Sequence, residues 1–154
     1  MIQILNVSPS VTSNYGGQDI SCVGASDGFA LATVDVGTGS APFSYLWNTG
    51  VTTANLNNVN AGSYSVTITD NRGCTDVASI TLNDPPPIVV DIDTTAYSPG
   101  TYVSCNGADD GELTVSAIGG IGTYSYAWSH TTSTSATQSG LAPGSYTVTV
   151  TDAY

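Results

Sequence analysis

At 154 residues the chain could hold one domain or two small ones, and its charge is one-sided: 12 acidic residues stand against a single Arg and no Lys, for a formal net charge of −11. Such a surface repels phosphate backbones and anionic lipid, which argues against nucleic-acid binding and polybasic membrane attachment. No run of about 18 apolar residues is present, so no membrane-inserted segment is expected, and without Lys neither Schiff-base chemistry nor a Lys–Asn isopeptide cross-link can form.

The N-terminal stretch MIQILNVSPS lacks a basic region ahead of an apolar core and does not read as a signal peptide. Met1 followed by mid-protein-like sequence suggests an excised fragment of something longer. Residues 2–7 (Ile2, Ile4, Val7) and 88–93 (Ile88, Val90, Ile92) read as equivalent opening strands. Each leads through a Pro/Ser/Tyr/Gly loop to a short strand ending in Ser21-Cys22 or Ser104-Cys105. A shared Cys-x-Gly-x-x-Asp-Gly turn follows, with Cys22, Gly24, Asp27 and Gly28 in one copy and Cys105, Gly107, Asp110 and Gly111 in the other. Asp-Gly is a turn signal because Gly takes positive φ and Asp bonds its own backbone. The next strand alternates through Ala30, Ala32 and Val34, or Leu113, Val115 and Ala117.

Gly-rich turns then lead to an aromatic strand, Phe43-Ser44-Tyr45-Leu46-Trp47 and Tyr124-Ser125-Tyr126-Ala127-Trp128. Its rings fall on one face, so Phe43, Tyr45, Trp47, Tyr124, Tyr126 and Trp128 are expected in the core, with Tyr64 and Tyr146. An exposed aromatic face that stacks on carbohydrate is the alternative. Weaker Thr/Asn strands are expected around 51–57 and 132–138. The longest repeated stretch comes next: GSYSVTITD from Gly62 to Asp70 and GSYTVTVTD from Gly144 to Asp152. Its period of two gives one buried and one wet face, and its Gly-x-Tyr stands where a tyrosine corner would sit. In the first copy an Asn71-Arg72-Gly73 turn then leads to Cys74 and a last strand through Val77, Ser79, Ile80 and Leu82.

The repeat length is about 82 residues (64 to 146, 27 to 110). About seven short strands per unit, without helical periodicity, predict two tandem all-β Greek-key sandwiches of the immunoglobulin or fibronectin type III kind. The expected division is residues 1–84, a stiff proline linker at 85–87, and 88–154, the second unit lacking its last strand.

In a seven-strand sandwich the turns holding Cys22 and Cys74 share one pole, which predicts a Cys22–Cys74 disulfide and an oxidising, extracellular setting. Cys105 then lacks its partner; by alignment Gly-Cys and a final strand should follow Tyr154. The same geometry puts Asp27 and Asp70, and Asp110 and Asp152, at one pole, the second pair facing the linker with Asp84. Oxygen ligands on loops suit calcium, so a junction calcium is one reading and plain Asx-turns the other. His130 lies in a polar turn and has no counterpart in the first unit. Asp91/Asp93 and Asp109/Asp110 sit at strand edges and turns without a cleft, so no catalytic residue is assigned.

Together, Ile20-Ser21-Cys22-x-Gly-x-x-Asp27-Gly28, the Phe43/Tyr45/Trp47 strand and Gly62-x-Tyr64-x-Val66-Thr67-x-Thr69-Asp70-x-x-Gly73-Cys74 resemble the SprB-type repeat over roughly 20–83 and 103–154. The resemblance implies tandem repeats of a very large surface adhesin of gliding bacteria, exported by type IX secretion to the cell surface. Its partners would be neighbouring repeats, surface or glycan ligands, and the secretion and gliding machinery; no catalysis is implied. It also implies that Asp93-Thr94-Thr95 could carry an O-glycan on Thr94. The function expected is a non-catalytic repeat that extends and stiffens an adhesin filament. A carbohydrate-binding module using the aromatic strand or a loop pole is the alternative.

Overall fold

The computed structural model describes residues 4–97 and 100–154; Ile2, placed above in the opening strand, lies outside them. The chain divides into two units, Met1–Pro85 and Pro86–Tyr154. Unit 1 has six strands: β1 (Val7–Val11), β2 (Gly28–Val34), β3 (Ser44–Trp47), β4 (Asn55–Val59), β5 (Gly62–Thr69) and β6 (Thr75–Leu82). They form two antiparallel sheets, ordered β1-β2-β4 and β3-β5-β6. That is the A-B-E and C-F-G order of an immunoglobulin-like sandwich without its D strand.

Alternation produces this arrangement. Ala30 and Ala32 on β2, Leu56 on β4, Trp47 on β3, Val66 and Ile68 on β5 and Leu82 on β6 all point inward and form one buried cluster. Small Ala30 and Ala32 in one sheet offset the bulk of Trp47 in the other. The outward positions of β6 are Thr75, Val77, Ser79 and Thr81, so Val77, read above with the strand's apolar set, faces water. Pro9 sits within β1, opposite Ala32; an edge strand tolerates the missing N–H.

Among the described residues unit 1 has six strands where about seven were expected. Residues 19–26 form no strand but a compact loop between β1 and β2, from which Ile20 plugs the core at zero exposure. The Thr/Asn strand lies at Asn55–Val59, a few residues later than expected.

Unit 2 repeats the plan with five strands: β7 (Val89–Thr94), β8 (Gly111–Ile118), β9 (Ser125–Trp128), β10 (Thr137–Leu141) and β11 (Val148–Thr151). Their orders are β10-β8-β7 and β11-β9. β11 is half the length of β5 although the sequences nearly coincide. β3 pairs only with Val66–Thr69, and the first half of β5, Gly62–Ser65, is laddered by β6, with Asn48 alone reaching it from the β3 side (Asn48 N–H to the Ser65 carbonyl, 2.9 Å). Unit 2 has no counterpart of β6 among the described residues, and Gly144–Thr147 keeps only the contact to Ser129, whose N–H donates to the Thr147 carbonyl (2.9 Å).

Of the prolines read as a spacer, Pro85 is buried, and the Pro86 carbonyl accepts the Gly120 N–H at 2.7 Å within unit 2.

Candidate functional site

Three devices occur in both units at matching positions, and they show what the repeated residues do. The first is the loop that ends in Asp-Gly. The Asp27 carboxylate accepts the Ser21 N–H (3.2 Å), and its carbonyl accepts the Tyr15 hydroxyl (2.9 Å). In unit 2 Asp110 accepts the Ser104 N–H (3.0 Å), and its carbonyl accepts the Tyr97 hydroxyl (2.8 Å). The side chains of Ser21 and Ser104 are the leading cause that holds each carboxyl below the ordinary carboxylate range, with the backbone N–H bonds adding to it. The Tyr15 hydroxyl is pushed up, by burial first and then by the Asp27 charge.

The second device ends the long strand. Burial opposes ionisation of Asp70, but the backbone N–H groups of Cys74 (2.9 Å), Arg72 (2.8 Å) and Ser40 (3.1 Å) outweigh it and set its pKa below the usual value. Asp152 accepts the Ile121 N–H at 2.8 Å in the same way. Each Asp ties the loop after the second strand of its unit to the end of the long strand. A carboxylate that already accepts two or three amides serves as a backbone clamp.

The third device is the tyrosine corner expected from Gly-x-Tyr. The Tyr64 hydroxyl donates to the Asn60 carbonyl (2.8 Å) and Tyr146 to the Ala142 carbonyl (2.7 Å), each four residues upstream.

These positions correct two expectations. Asp27 and Cys22 lie at the end of unit 1 where β2 starts and β6 finishes: the Gly24 N–H donates to Asp84 (3.2 Å), and the Asn83 N–H to Asp19 (2.9 Å). Asp70 and Cys74 lie where β6 begins, at the opposite end. Eight residues of strand separate the two ends by roughly 25 Å, far beyond the Cα separation of about 7 Å that a disulfide allows. Cys22, Cys74 and Cys105 are accordingly free and exposed. The error came from counting residues 19–22 as a strand, which placed Cys22 at the wrong end. For the same reason Asp27 and Asp70 cannot share a cation, nor can Asp110, before β8, and Asp152, after β11. Among the described residues no three His, Cys, Asp or Glu side chains are grouped to hold a metal.

The glycine of each Asp-Gly is also explained differently. Gly28 and Gly111 are not among the residues with positive φ. Gly28 opens β2 beside a bulge, and a Cβ there would lie 2.5 Å from Leu82 Cδ2, 2.6 Å from Ile20 Cδ1 and 2.8 Å from the Val59 carbonyl oxygen. Close approach, rather than a left-handed turn, requires the glycine. Within the Cys-x-Gly-x-x-Asp-Gly turns the left-handed residues are Gly24 (φ 80°) and Gly107 (φ 84°), and at the facing bulges Asn58 (φ 56°) and Gly140 (φ 71°).

Trp47 is 1% exposed and Trp128 6%, and their indole N–H groups donate to the carbonyls of Thr53 (3.0 Å) and Ser135 (2.9 Å). Phe43, Tyr45 and Tyr64 are half-buried against the same core; Tyr124, Tyr126 and Tyr146 are half-buried in unit 2. The aromatic strand is therefore packing and offers no stacking platform for a sugar. His130 is exposed, with its ring edge-on to Tyr146 at 4.8 Å and Trp128 at 5.8 Å. Thr94 is exposed at the end of β7. It borders a cavity of about 420 Å³ at the Gly111 end of unit 2 that the sequence did not foretell.

The SprB repeat family model matches residues 18–52 and 101–133. Each match runs from the loop that ends in Asp-Gly through the aromatic strand, so it takes in the Ser21–Asp27 and Ser104–Asp110 bonds and the buried Trp, but leaves out Tyr15, Tyr97 and the tyrosine corner. Comparison with curated proteins finds no match. The family model thus matches once in each sandwich, over corresponding segments, and in this the chain is similar to two SprB repeats in tandem.

Proposed function

We propose that the chain is a non-catalytic segment of a secreted bacterial surface adhesin, in which each repeat extends and stiffens a filament. The carrying observation is the path of the backbone in unit 1. β2 starts at Gly28, and β1 runs antiparallel to it; β6 ends at Leu82 against Gly28. Both β1 and β6 therefore run toward the Gly28 end. The Val7 N–H donates to the Asp76 carboxylate at 3.0 Å, which places the two strands side by side. The chain thus enters the unit at one end and leaves at the other, with its first and last strands parallel. Tension along the chain would shear β1 and β6 past the core rather than peel one ladder bond at a time.

The acidic, lysine-free surface supports the same reading, because like-charged repeats resist collapse onto one another. The repeated devices serve backbone order: the carboxylates clamp loops and the aromatics fill the core. Adhesion then belongs to the array or to other regions of the protein, and export and gliding follow from membership of such an adhesin.

The test is antibody staining of intact producing cells, combined with in-frame removal of residues 1–85. Staining without permeabilisation and a measurably shorter filament are expected. Staining confined to permeabilised cells, or undiminished filament length, would overturn the proposal.

A further inference from the structure

The chain contains no Lys and a single Arg, so it offers an arginine-specific endopeptidase one scissile bond, Arg72–Gly73. That bond lies in the turn between β5 and β6, at the end of unit 1 opposite Gly28. Asn71, Arg72, Gly73 and Cys74 are all exposed. The side chain that such an enzyme reads is on display.

The backbone is not. Four consecutive amides are already taken. The Asn71 N–H donates to the Ser40 carbonyl (2.9 Å), and the Gly73 N–H to the Asp70 carbonyl (3.0 Å). The Arg72 and Cys74 N–H groups both donate to the Asp70 carboxylate (2.8 and 2.9 Å). The Asp70 N–H meets the Cys74 carbonyl at 2.9 Å, and Gly73 holds φ 82°, which closes the segment as a hairpin turn. An endopeptidase binds its substrate as an extended strand, pairing with backbone groups on either side of the bond it cuts. Residues 70–74 cannot take that form until Asp70 releases them. In unit 2 the turn recurs without the arginine: the Tyr154 N–H donates to Asp152 (3.4 Å) as the Arg72 N–H does to Asp70.

We propose that Arg72–Gly73 is a gated cleavage site, displayed to an arginine-specific endopeptidase and held shut by the Asp70 carboxylate. When the turn opens, the enzyme adds water across the Arg72–Gly73 amide, leaving a carboxylate on Arg72 and an amine on Gly73. The cut falls just ahead of β6. β6 then belongs covalently to everything after it, while its ladder with β5, from Gly62 opposite Leu82 to Thr69 opposite Thr75, keeps it seated in unit 1. A covalent connection through unit 1 thus becomes a non-covalent one at a single point. This inference stands apart from the adhesin reading and would survive its failure.

The experiment treats the whole 154-residue chain with trypsin at neutral pH and follows it by denaturing electrophoresis and intact mass. The wild type should be cut slowly and at Arg72 alone, into residues 1–72 and 73–154, which stay together in sedimentation until denaturant is added. Asp70→Ala should be cut at least about tenfold faster, the ratio that loss of one bond to a charged group supports. Gly28→Ala strains the far end of the same unit and should leave the rate within about twofold, because local opening of the turn, rather than global unfolding, exposes the bond. In the wild type, urea below the unfolding transition should leave the rate unchanged, since opening one turn exposes little surface. Equal rates for the wild type and Asp70→Ala, equal acceleration by the two substitutions, or a wild-type rate that climbs with urea would overturn the inference. So would nicked pieces that separate without denaturant.

Discussion

Gly28→Ala is the sharpest single perturbation of the sandwich. The added methyl would lie 2.5 Å and 2.6 Å from the tips of Leu82 and Ile20, and 2.8 Å from the Val59 carbonyl oxygen. Leu82 and Ile20 are 1% and 0% exposed, so neither has free volume to retreat into, and the carbonyl belongs to the β2–β4 ladder. Overpacking of this kind costs about 1–3 kcal/mol. In a unit of this size that lowers the Tm by roughly 5–20 °C. Differential scanning calorimetry of the whole chain should show one transition falling by that amount while the other stays. Gly28→Asn separates the two explanations of the glycine. Asn tolerates a left-handed backbone better than Ala does, so a positive-φ requirement would make it the milder change, whereas steric exclusion makes it the worse one. A Tm unchanged by Gly28→Ala, or an Asn variant more stable than the Ala variant, would refute the close-approach argument.

Three further outcomes follow from the repeated devices. Asp27, Asp70 and Asp110 have folded-state pKa values below their ordinary ones. Their contribution to stability is present above about pH 4 and lost as the pH falls through the lowered values. Melting temperature should hold from neutrality to mild acid and then drop, and Asp70→Asn should flatten that drop. Tyr64→Phe removes the bond to the Asn60 carbonyl and should cost about 0.5–1.5 kcal/mol by urea unfolding; a neutral variant would deny the corner a stabilising role. Asn58 holds φ 56° where unit 2 has Gly140, so Asn58→Gly should be neutral or stabilising and Asn58→Val should cost about 1–2 kcal/mol, read from the same unfolding curves.

Period-two alternation made β2, β3, β5 and β6 legible, because inward Ala, Trp, Val, Ile and Leu recur at every second position, even where Leu31, Leu46 and Val77 stand among the outward Ser and Thr. Gly-x-Tyr correctly announced the tyrosine corner, since both the φ-permissive residue and the ring are local features. Topology was harder to read. Ile20-Ser21-Cys22 has the composition of a strand end, but the Asp27 carboxylate and the burial of Ile20 hold it as a loop. That one miscount moved Cys22 and Asp27 to the wrong end and produced both the disulfide and the cation site. Tyr15 with Tyr97, and Asn58 with Gly140, share the offset of the repeat and could have been found by it. The packing of Leu82 against Gly28 could not, since it needs Gly28, Ile20 and Leu82 brought together from three separate segments.

The central claim is that the repeat bears load through parallel first and last strands. Single-molecule force spectroscopy on the chain, tethered at its two ends, tests this directly. The account predicts an abrupt unfolding event for unit 1, releasing on the order of 25 nm of chain, at a force that falls when Asp76→Ala removes the carboxylate between β6 and β1. Gradual extension without a discrete event, or a force indifferent to Asp76, would contradict it.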